Sequence, residues 1–257
     1  MSKKIIALSL ALILIVTCFV ACGKKYETTK INGEEVILVT DENGNPIINE
    51  KNEVVVLVTD RAGEVLTYAN GEDQTRYISL QNALEIKGVA YGEHYKMNVL
   101  DGWIIGNGDK LIKDKTDGKC YIQFLDVHTL GMNEKFDEVF AETDKANKEM
   151  FDVLNDEEAL KKLAETNPEV EKYIGGKATN ETKSIQLTDE AYPCRVYTAK
   201  IVDKDGNIVH YVETYYFLVD NTIYSINYYC ADGVGYDAEF NFEEYLRNSF
   251  TFVKTTD

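Results

Sequence analysis

The chain has 257 residues, of which 44% are hydrophobic, 28% charged and 11% aromatic. This composition supports one large or two small domains with a real core, and it excludes a disordered, collagen-like or disulfide-dense chain. Lys and Arg number 27 against 44 Asp and Glu, which gives a formal net charge of -17. Because such a charge repels phosphate, we expect no nucleic acid among the partners.

The N-terminus has the pattern of an export signal. Lys3 and Lys4 precede an apolar run over residues 5–21, and the run ends at Ala21-Cys22-Gly23. A charged n-region followed by a short apolar h-region is typical of a signal peptide. We therefore predict a signal peptide over residues 1–21, with an uncleaved membrane helix as the alternative, for which this run is at the short limit.

The small residue before Cys22 resembles the bacterial lipobox. In that family the cysteine thiol receives a diacylglyceryl group, and the peptide is cut before it. The resemblance implies that Cys22 is lipidated and that the mature chain is anchored at the outer face of the cell membrane. Phe19 departs from the pattern, which usually has Leu, Val or Ile there. Cys18 is a poorer candidate because Thr17 is bulkier than the usual Ala or Gly.

Residues 22–76 are predicted to be a lipid-anchored acidic repeat spacer. The pattern of residues 37–44 recurs in residues 56–63, and a less similar copy lies between them. Each unit is a β-branched run closed by an Asp/Asn/Gly turn. Such repeats resemble the acidic spacers of lipoproteins of Gram-positive bacteria. We expect an extended spacer, because short strands bury little apolar surface, with a small β-rich module as the alternative.

Two acidic clusters invite comparison with calcium loops. Starting at Asp41 or at Asp203, the Gly and Glu spacing of an EF-hand is absent. Both clusters are therefore predicted to be turns.

Residues 77–257 are predicted to form an α+β globular domain. The pattern indicates strands over 95–100 and 119–127, a long helix behind Asn133, a second helix from Asp156 and a short turn capped by Asn167. Three further strands follow as a meander, over residues 192–203, 207–219 and 222–230. A last helix over 238–248 leads into a strand over 250–253.

The turns of the meander fix its register. Tight joints place Cys194 opposite Phe217, and Phe217 opposite Tyr224. Both computed faces are apolar, so we expect an antiparallel β-sheet sandwiched between helices. The same register separates Cys194 from Cys230 by on the order of 20 Å, too far for a disulfide. A pairing of Cys120 with either stays open.

The C-terminal domain resembles the PsbP/Mog1-like family over about residues 85–254. The resemblance is carried by Asp101-Gly102-Trp103 after the first strand, by Tyr224-Ser225-Ile226 in the meander and by residues 248–252 at the end. Asp101 stands where the family usually has Pro, and the helical insert is long. The resemblance implies a sheet between helices and a non-catalytic binding or assembly role; many bacterial relatives are lipoproteins.

Motifs for chemistry are absent from the sequence. It has no Gly-x-Ser-x-Gly, phosphate loop, Cys-x-x-Cys or His-Glu-x-x-His, and His94, His128 and His210 are spaced too widely for a local metal site. We predict no catalytic residue, cofactor or metal, and a half-buried, hydrogen-bonded His210. The tyrosines of the meander are predicted to be mainly core, with a binding surface as the alternative.

Three functions follow. The preferred one is a lipid-anchored surface protein that binds a protein partner or assists assembly of an envelope complex, for which an exposed apolar and tyrosine patch would be the sign. The alternatives are a small-ligand or glycan-binding module, marked by a deep pocket, and an envelope enzyme, marked by acids with shifted pKa values in a cleft.

Overall fold

The computed structural model describes residues 28–187 and 192–253, so the predicted signal peptide and Cys22 lie outside the described residues. The chain divides into two compact units. Among the described residues, one comprises 28–46 and Val55–Ile78, and the other comprises Ile47–Val54, 79–187 and 192–253. The predicted domain boundary after residue 76 stays a prediction.

The first strands are short and paired. β1 (Thr28–Ile31) and β2 (Glu34–Ile37) form an antiparallel hairpin, and β3 (Glu53–Leu57) pairs with β4 (Thr75–Ser79). Asn32 and Gly33 occupy the β1–β2 turn with φ of 49° and 86°. Two successive positive φ values are what a two-residue type I′ hairpin turn requires, and Asn-Gly supplies them at low cost.

One turn recurs through the repeats and beyond. The side-chain oxygens of Asp41, Asn49, Asp60 and Asp203 each accept hydrogen bonds from the backbone N–H groups two and four residues later. The predicted turns at Asp41 and Asp203 are therefore confirmed. This side-chain bonding explains why each repeat needs an Asp or Asn at its first turn position.

The remaining chain builds two antiparallel sheets and a few helices. The strands are β5 (Leu84–Ile86), β6 (Val89–Tyr91), β7 (Tyr95–Asn98), β8 (Trp103–Gly106), β9 (Lys110–Lys113), β10 (Cys120–Thr129), β11 (Lys177–Gln186), β12 (Pro193–Val202), β13 (Ile208–Val219), β14 (Thr222–Ala231) and β15 (Thr251–Phe252). The helices are α1 (Phe136–Leu154), α2 (Glu157–Ala164), a 3₁₀ helix (Pro168–Tyr173) and α3 (Phe242–Ser249). The larger sheet has the order β11-β12-β13-β14-β10-β9-β8, and the smaller has the order β15-β7-β6-β5.

The predicted register of the meander is confirmed. Cys194 lies opposite Phe217, and Phe217 lies opposite Tyr224. One departure occurs at the β12–β13 end, where Val202 pairs with Ile208 because the register shifts by one residue after Ile201. A bulge there bends the strand into the Asp203 turn.

The inner face of the larger sheet carries the core. Its side chains pack with the smaller sheet and with α3, and the most completely buried are Tyr95, Met97, Ile122, Val196, Tyr215, Phe217, Ile226, Tyr228, Phe242 and Leu246. Aromatic rings contact one another throughout, with centroids 4.5 Å apart for Tyr95 and Phe124 and 5.8 Å apart for Phe217 and Phe250. Burial on this scale is the main stabilising term of the domain.

The outer face of the larger sheet is covered over only part of its width. Helix α1 packs on the β11–β13 part, where the Phe140 ring lies 6.0 Å from that of Tyr197 and 5.0 Å from that of Tyr216. On the β8–β10 part, Ile104, Leu125 and Val127 remain 55%, 40% and 49% exposed. The prediction of an antiparallel sheet is confirmed, but the prediction that helices cover both of its faces holds only in part. The inner face is covered mainly by strands, and a helix about 10 Å wide covers only about two strands spaced about 4.8 Å apart.

The helix starts agree with the sequence in two cases of four, because α3 begins at Phe242 behind the Asn241 cap and not at residue 238. Asp156 and Asn167 accept hydrogen bonds from backbone N–H groups and cap α2 and the 3₁₀ helix as predicted. Asn133 was predicted to cap α1 and does not, because α1 begins at Phe136 behind Lys135 without a side-chain cap. Among the described helices, none combines the length and apolar character needed to cross a membrane.

Candidate binding surface

The uncovered part of the outer face presents a continuous apolar row. Ile104 lies opposite Ile112, Ile112 opposite Tyr121, and Tyr121 opposite Tyr229, so one row of side chains crosses β8, β9, β10 and β14. Directly opposed side chains in a sheet share a face and touch. This row forms the first half of the surface.

Two more apolar side chains lie further along β10, beyond the polar Gln123. Leu125 follows Tyr121 at a spacing of four on the same face, and Val127 lies at a register shift between Asp126 and His128. A bulge of this kind re-aims a side chain, and Val127 is 49% exposed. We call the set Ile104, Ile112, Tyr121, Leu125, Val127 and Tyr229 the bare face.

The aromatic centre of the bare face is held from both sides. The rings of Tyr121 and Tyr229 are 5.1 Å apart, and Lys110 Nζ lies 4.5 Å from the Tyr121 ring centroid. On the other side, the Tyr229 hydroxyl is 3.1 Å from His210 Nδ1, and His210 Nε2 is 2.8 Å from the Tyr173 hydroxyl. The two rings are therefore fixed before any partner arrives, which lowers the entropy cost of binding.

His210 is half-buried and hydrogen-bonded through both ring nitrogens, as predicted. Its pKa is lowered, first by burial and then by the positive charge of Lys172, while Asp232 acts in the opposite direction. A neutral imidazole donates through one nitrogen and accepts through the other, which suits two hydroxyl partners. The lowered pKa favours the neutral imidazole, and His210 acts as a support of Tyr229.

This environment predicts acid sensitivity. A histidine with a lowered pKa binds a proton less readily in the folded chain than in the unfolded chain, so its contribution to stability is lost as the pH falls below about 6.5. We expect the urea concentration at the unfolding midpoint to fall further between pH 7 and pH 5 for the wild-type chain than for the His210→Gln variant. His128→Gln, at an exposed histidine, is the matched control, and its urea midpoint should fall as far as that of the wild type. Equal losses in the wild type and His210→Gln would contradict the assignment.

A second group of titratable side chains lies at the end of β6 and β10. His94 Nε2 is 3.0 Å from Glu93 Oε1 and 3.8 Å from Asp126 Oδ2. Burial, joined by the charge of Asp126, raises the pKa values of Glu93 and Asp109. Raised acids of this kind are one sign of general acid catalysis. Three cavities around the helices are lined by other residues.

Three cavities lie around the helices. An open cleft of about 850 Å³ between α2, the 3₁₀ helix and the β12–β13 turn is lined mainly by charged and polar side chains. A groove of about 440 Å³ between α1, α2 and the 3₁₀ helix is apolar, and a gap of about 260 Å³ lies between α1 and the sheet. Over residues 28–187 and 192–253, His, Cys, Asp and Glu form no group of three placed to hold a metal ion.

Two of the three comparisons with known proteins find no match. No family model matches the chain, and no curated protein matches it. Among solved structures, the chain is similar to cyanobacterial PsbP (CyanoP) from Synechocystis sp. PCC 6803, with 9% sequence identity and a TM-score of 0.36. The alignment covers 62% of this chain and 86% of that protein. At this identity and TM-score the likeness supports no functional conclusion.

The tyrosines predicted as one group serve two roles. Tyr215 and Tyr228 are buried in the core, whereas Tyr229 belongs to the bare face. Tyr121 was missed, although apolar residues at both odd and even positions of residues 120–125 signal a strand with two apolar faces. The lipidation residue predicted from sequence, Cys22, lies outside the described residues.

Proposed function

We propose that this chain is a non-catalytic surface protein, held at the outer face of the cell membrane by a diacylglyceryl group on Cys22, that binds a protein partner through the bare face. The observation that carries the proposal is the exposure of Ile104, Leu125 and Val127 on strands β8 and β10 of the larger sheet. Exposed apolar side chains grouped on one face of a sheet are a sign of an interaction site.

The composition of the bare face supports a protein partner. Its apolar side chains are aliphatic and aromatic, and a polar row of half-buried Lys110, Gln123 and Asn227 crosses it between Tyr121 and Leu125. Protein interfaces combine apolar, tyrosine-rich surface with polar groups in this way. The partner should therefore offer a flat apolar surface, with an acceptor or carboxylate near Lys110.

Amine-reactive crosslinking in intact cells tests the binding half of the proposal. We expect one discrete heavier species whose linked peptide contains Lys110, because this lysine borders the bare face. Lys145 and Lys204, both exposed and on other parts of the domain, provide the internal control. Links spread evenly over Lys145, Lys204 and Lys110 would contradict a partner on the bare face.

The proposed lipid anchor on Cys22 predicts that loss of this cysteine changes where the chain is found. Cys22→Ser should move the chain from the membrane fraction to the medium and abolish incorporation of a labelled fatty acid, because two acyl chains provide firm anchoring. Cys18→Ser is the matched control and should change neither. A Cys22→Ser chain that stays with the membrane would favour the uncleaved helix.

A glycan is the second candidate ligand. The Tyr121 and Tyr229 rings, tilted by 35° to each other, lie beside the side-chain amides of Gln123 and Asn227, and such a site offers both apolar ring area and hydrogen bonds. Titration of the chain with a neutral N-acetylglucosamine oligosaccharide distinguishes a glycan ligand from a protein partner. Saturable binding that Tyr121→Ala abolishes would favour the glycan, and no binding would favour the protein partner.

A further inference from the structure

Two cysteine thiols face each other inside the larger sheet. Cys120 on β10 lies directly opposite Cys230 on β14, their sulfur atoms are 2.9 Å apart, and both residues are fully buried. The two positions are 110 residues apart in sequence. The sheet register alone therefore brings them together.

The backbone at this point allows a covalent bond. The neighbouring pair is hydrogen-bonded, because Ala231 N–H donates to the Lys119 carbonyl at 2.8 Å. Hydrogen-bonded and non-hydrogen-bonded pairs alternate along an antiparallel ladder, so Cys120 and Cys230 form a non-hydrogen-bonded pair, with Cα atoms about 4.5 Å apart. That separation is inside the range of about 4.4–6.8 Å found in disulfides.

We propose that Cys120 and Cys230 are an oxidisable pair that closes to a disulfide between β10 and β14. The bond would join β10, which leads to β9 and β8 at one end of the larger sheet, to β14 of the meander. It would fix the two strands that carry Tyr121 and Tyr229. It is independent of the proposed function, since it concerns the inner face of the same strands.

The surroundings distinguish the two thiols. The hydrogen bond from Cys120 lowers the pKa of Cys230, with further help from Tyr228 and Lys113, although burial opposes the shift. By contrast, burial raises the pKa of Cys194 to about 12, and this residue lies opposite Phe217 rather than a cysteine. Cys230 is therefore the thiol that ionises first, and Cys194 is expected to stay reduced.

The reaction balances with a small disulfide as the oxidant. The Cys230 thiolate attacks one sulfur of the oxidant, a mixed disulfide forms, and the first small thiolate leaves. Cys120, as thiolate, then attacks the Cys230 sulfur and releases the second thiolate. The chain loses two protons and two electrons, and the oxidant becomes two thiols.

The test follows each cysteine separately. The reduced full chain is unfolded in guanidinium, refolded in glutathione buffer, alkylated and cut with trypsin, which places Cys120, Cys194 and Cys230 in separate peptides, residues 120–135, 184–195 and 205–247. We expect the first and third peptides to be linked, and Cys194 to be alkylated. The preference over other pairings should be about tenfold or more, and it should vanish when the buffer retains guanidinium.

Two variants keep the result interpretable. Cys194→Ser should leave the link between residues 120–135 and 205–247 unchanged, and Cys230→Ser should leave Cys120 and Cys194 both alkylated. Three alkylated cysteines in the refolded wild-type chain, or pairings that include Cys194 at comparable yield, would overturn the proposal.

Discussion

Aspartate at both Ile104 and Leu125 is expected to abolish the crosslinked species at Lys110 while leaving the chain folded. Both side chains are exposed in the structure. A carboxylate buried without a partner at an interface costs several kcal/mol, so about 3 kcal/mol, or roughly a hundredfold in Kd, is a modest expectation. The cost to folding should be only about 1–2 kcal/mol, since exposed strand positions tolerate polar residues.

Two matched variants define the result. Threonine at Ile104 and Leu125 keeps strand propensity and carries no charge, so it should weaken the adduct less than aspartate does. Lys145→Asp changes an exposed residue of α1 and should leave the adduct intact. An undiminished adduct in the folded double aspartate variant would rule out the bare face as the site.

Phe217→Ala should lower the free energy of unfolding by about 3–5 kcal/mol. Phe217 is fully buried on the inner face, and its ring lies 5.8 Å from that of Phe250 and 5.3 Å from that of Phe252. Removal of the ring loses these contacts and leaves a cavity at the centre of the core. Urea unfolding followed by circular dichroism measures the change.

Leu125→Ala is the matched control for Phe217→Ala. Leu125 belongs to a strand of the same sheet but to its opposite, exposed face. Its truncation should cost about 1 kcal/mol or less. Similar losses for the two variants would contradict the assignment of one sealed face and one bare face.

The register of the meander could be predicted from sequence because local features fix it. Asp203 and Asp220-Asn221 mark two tight joints, and alternation then assigns each side chain to a face. The shift after Ile201 could not be predicted, because it depends on how the Asp203 turn closes. Local turn chemistry therefore determined most of this part of the fold.

The long edge strand β11 was missed for a different reason. Residues 177–186 are mostly polar and exposed, with only Ala178 buried. An edge strand has one neighbour and few inward contacts, so it lacks the apolar alternation that signals a strand. Its pairing with β12 is a tertiary effect.

The bare face could not be located from sequence because it depends on non-local pairing. Tyr121 and Tyr229 are more than one hundred residues apart, and only the pairing of β10 with β14 brings them together. Apolar residues on both sides of a strand predict cover on both faces. With α1 over the β11–β13 part of the sheet, the outer side of β8–β10 stays exposed.

Labelling of single cysteines with a membrane-impermeant maleimide tests the central claim most directly. Cysteine is placed at Ile104 on the bare face or at Lys145 on α1, both exposed, whereas Cys120, Cys194 and Cys230 are buried. Both positions should react at similar rates in the purified chain. In intact cells Lys145→Cys should still react, which requires an outer location, while Ile104→Cys should react about tenfold more slowly because a partner covers it. Equal labelling of the two positions in intact cells would contradict the account.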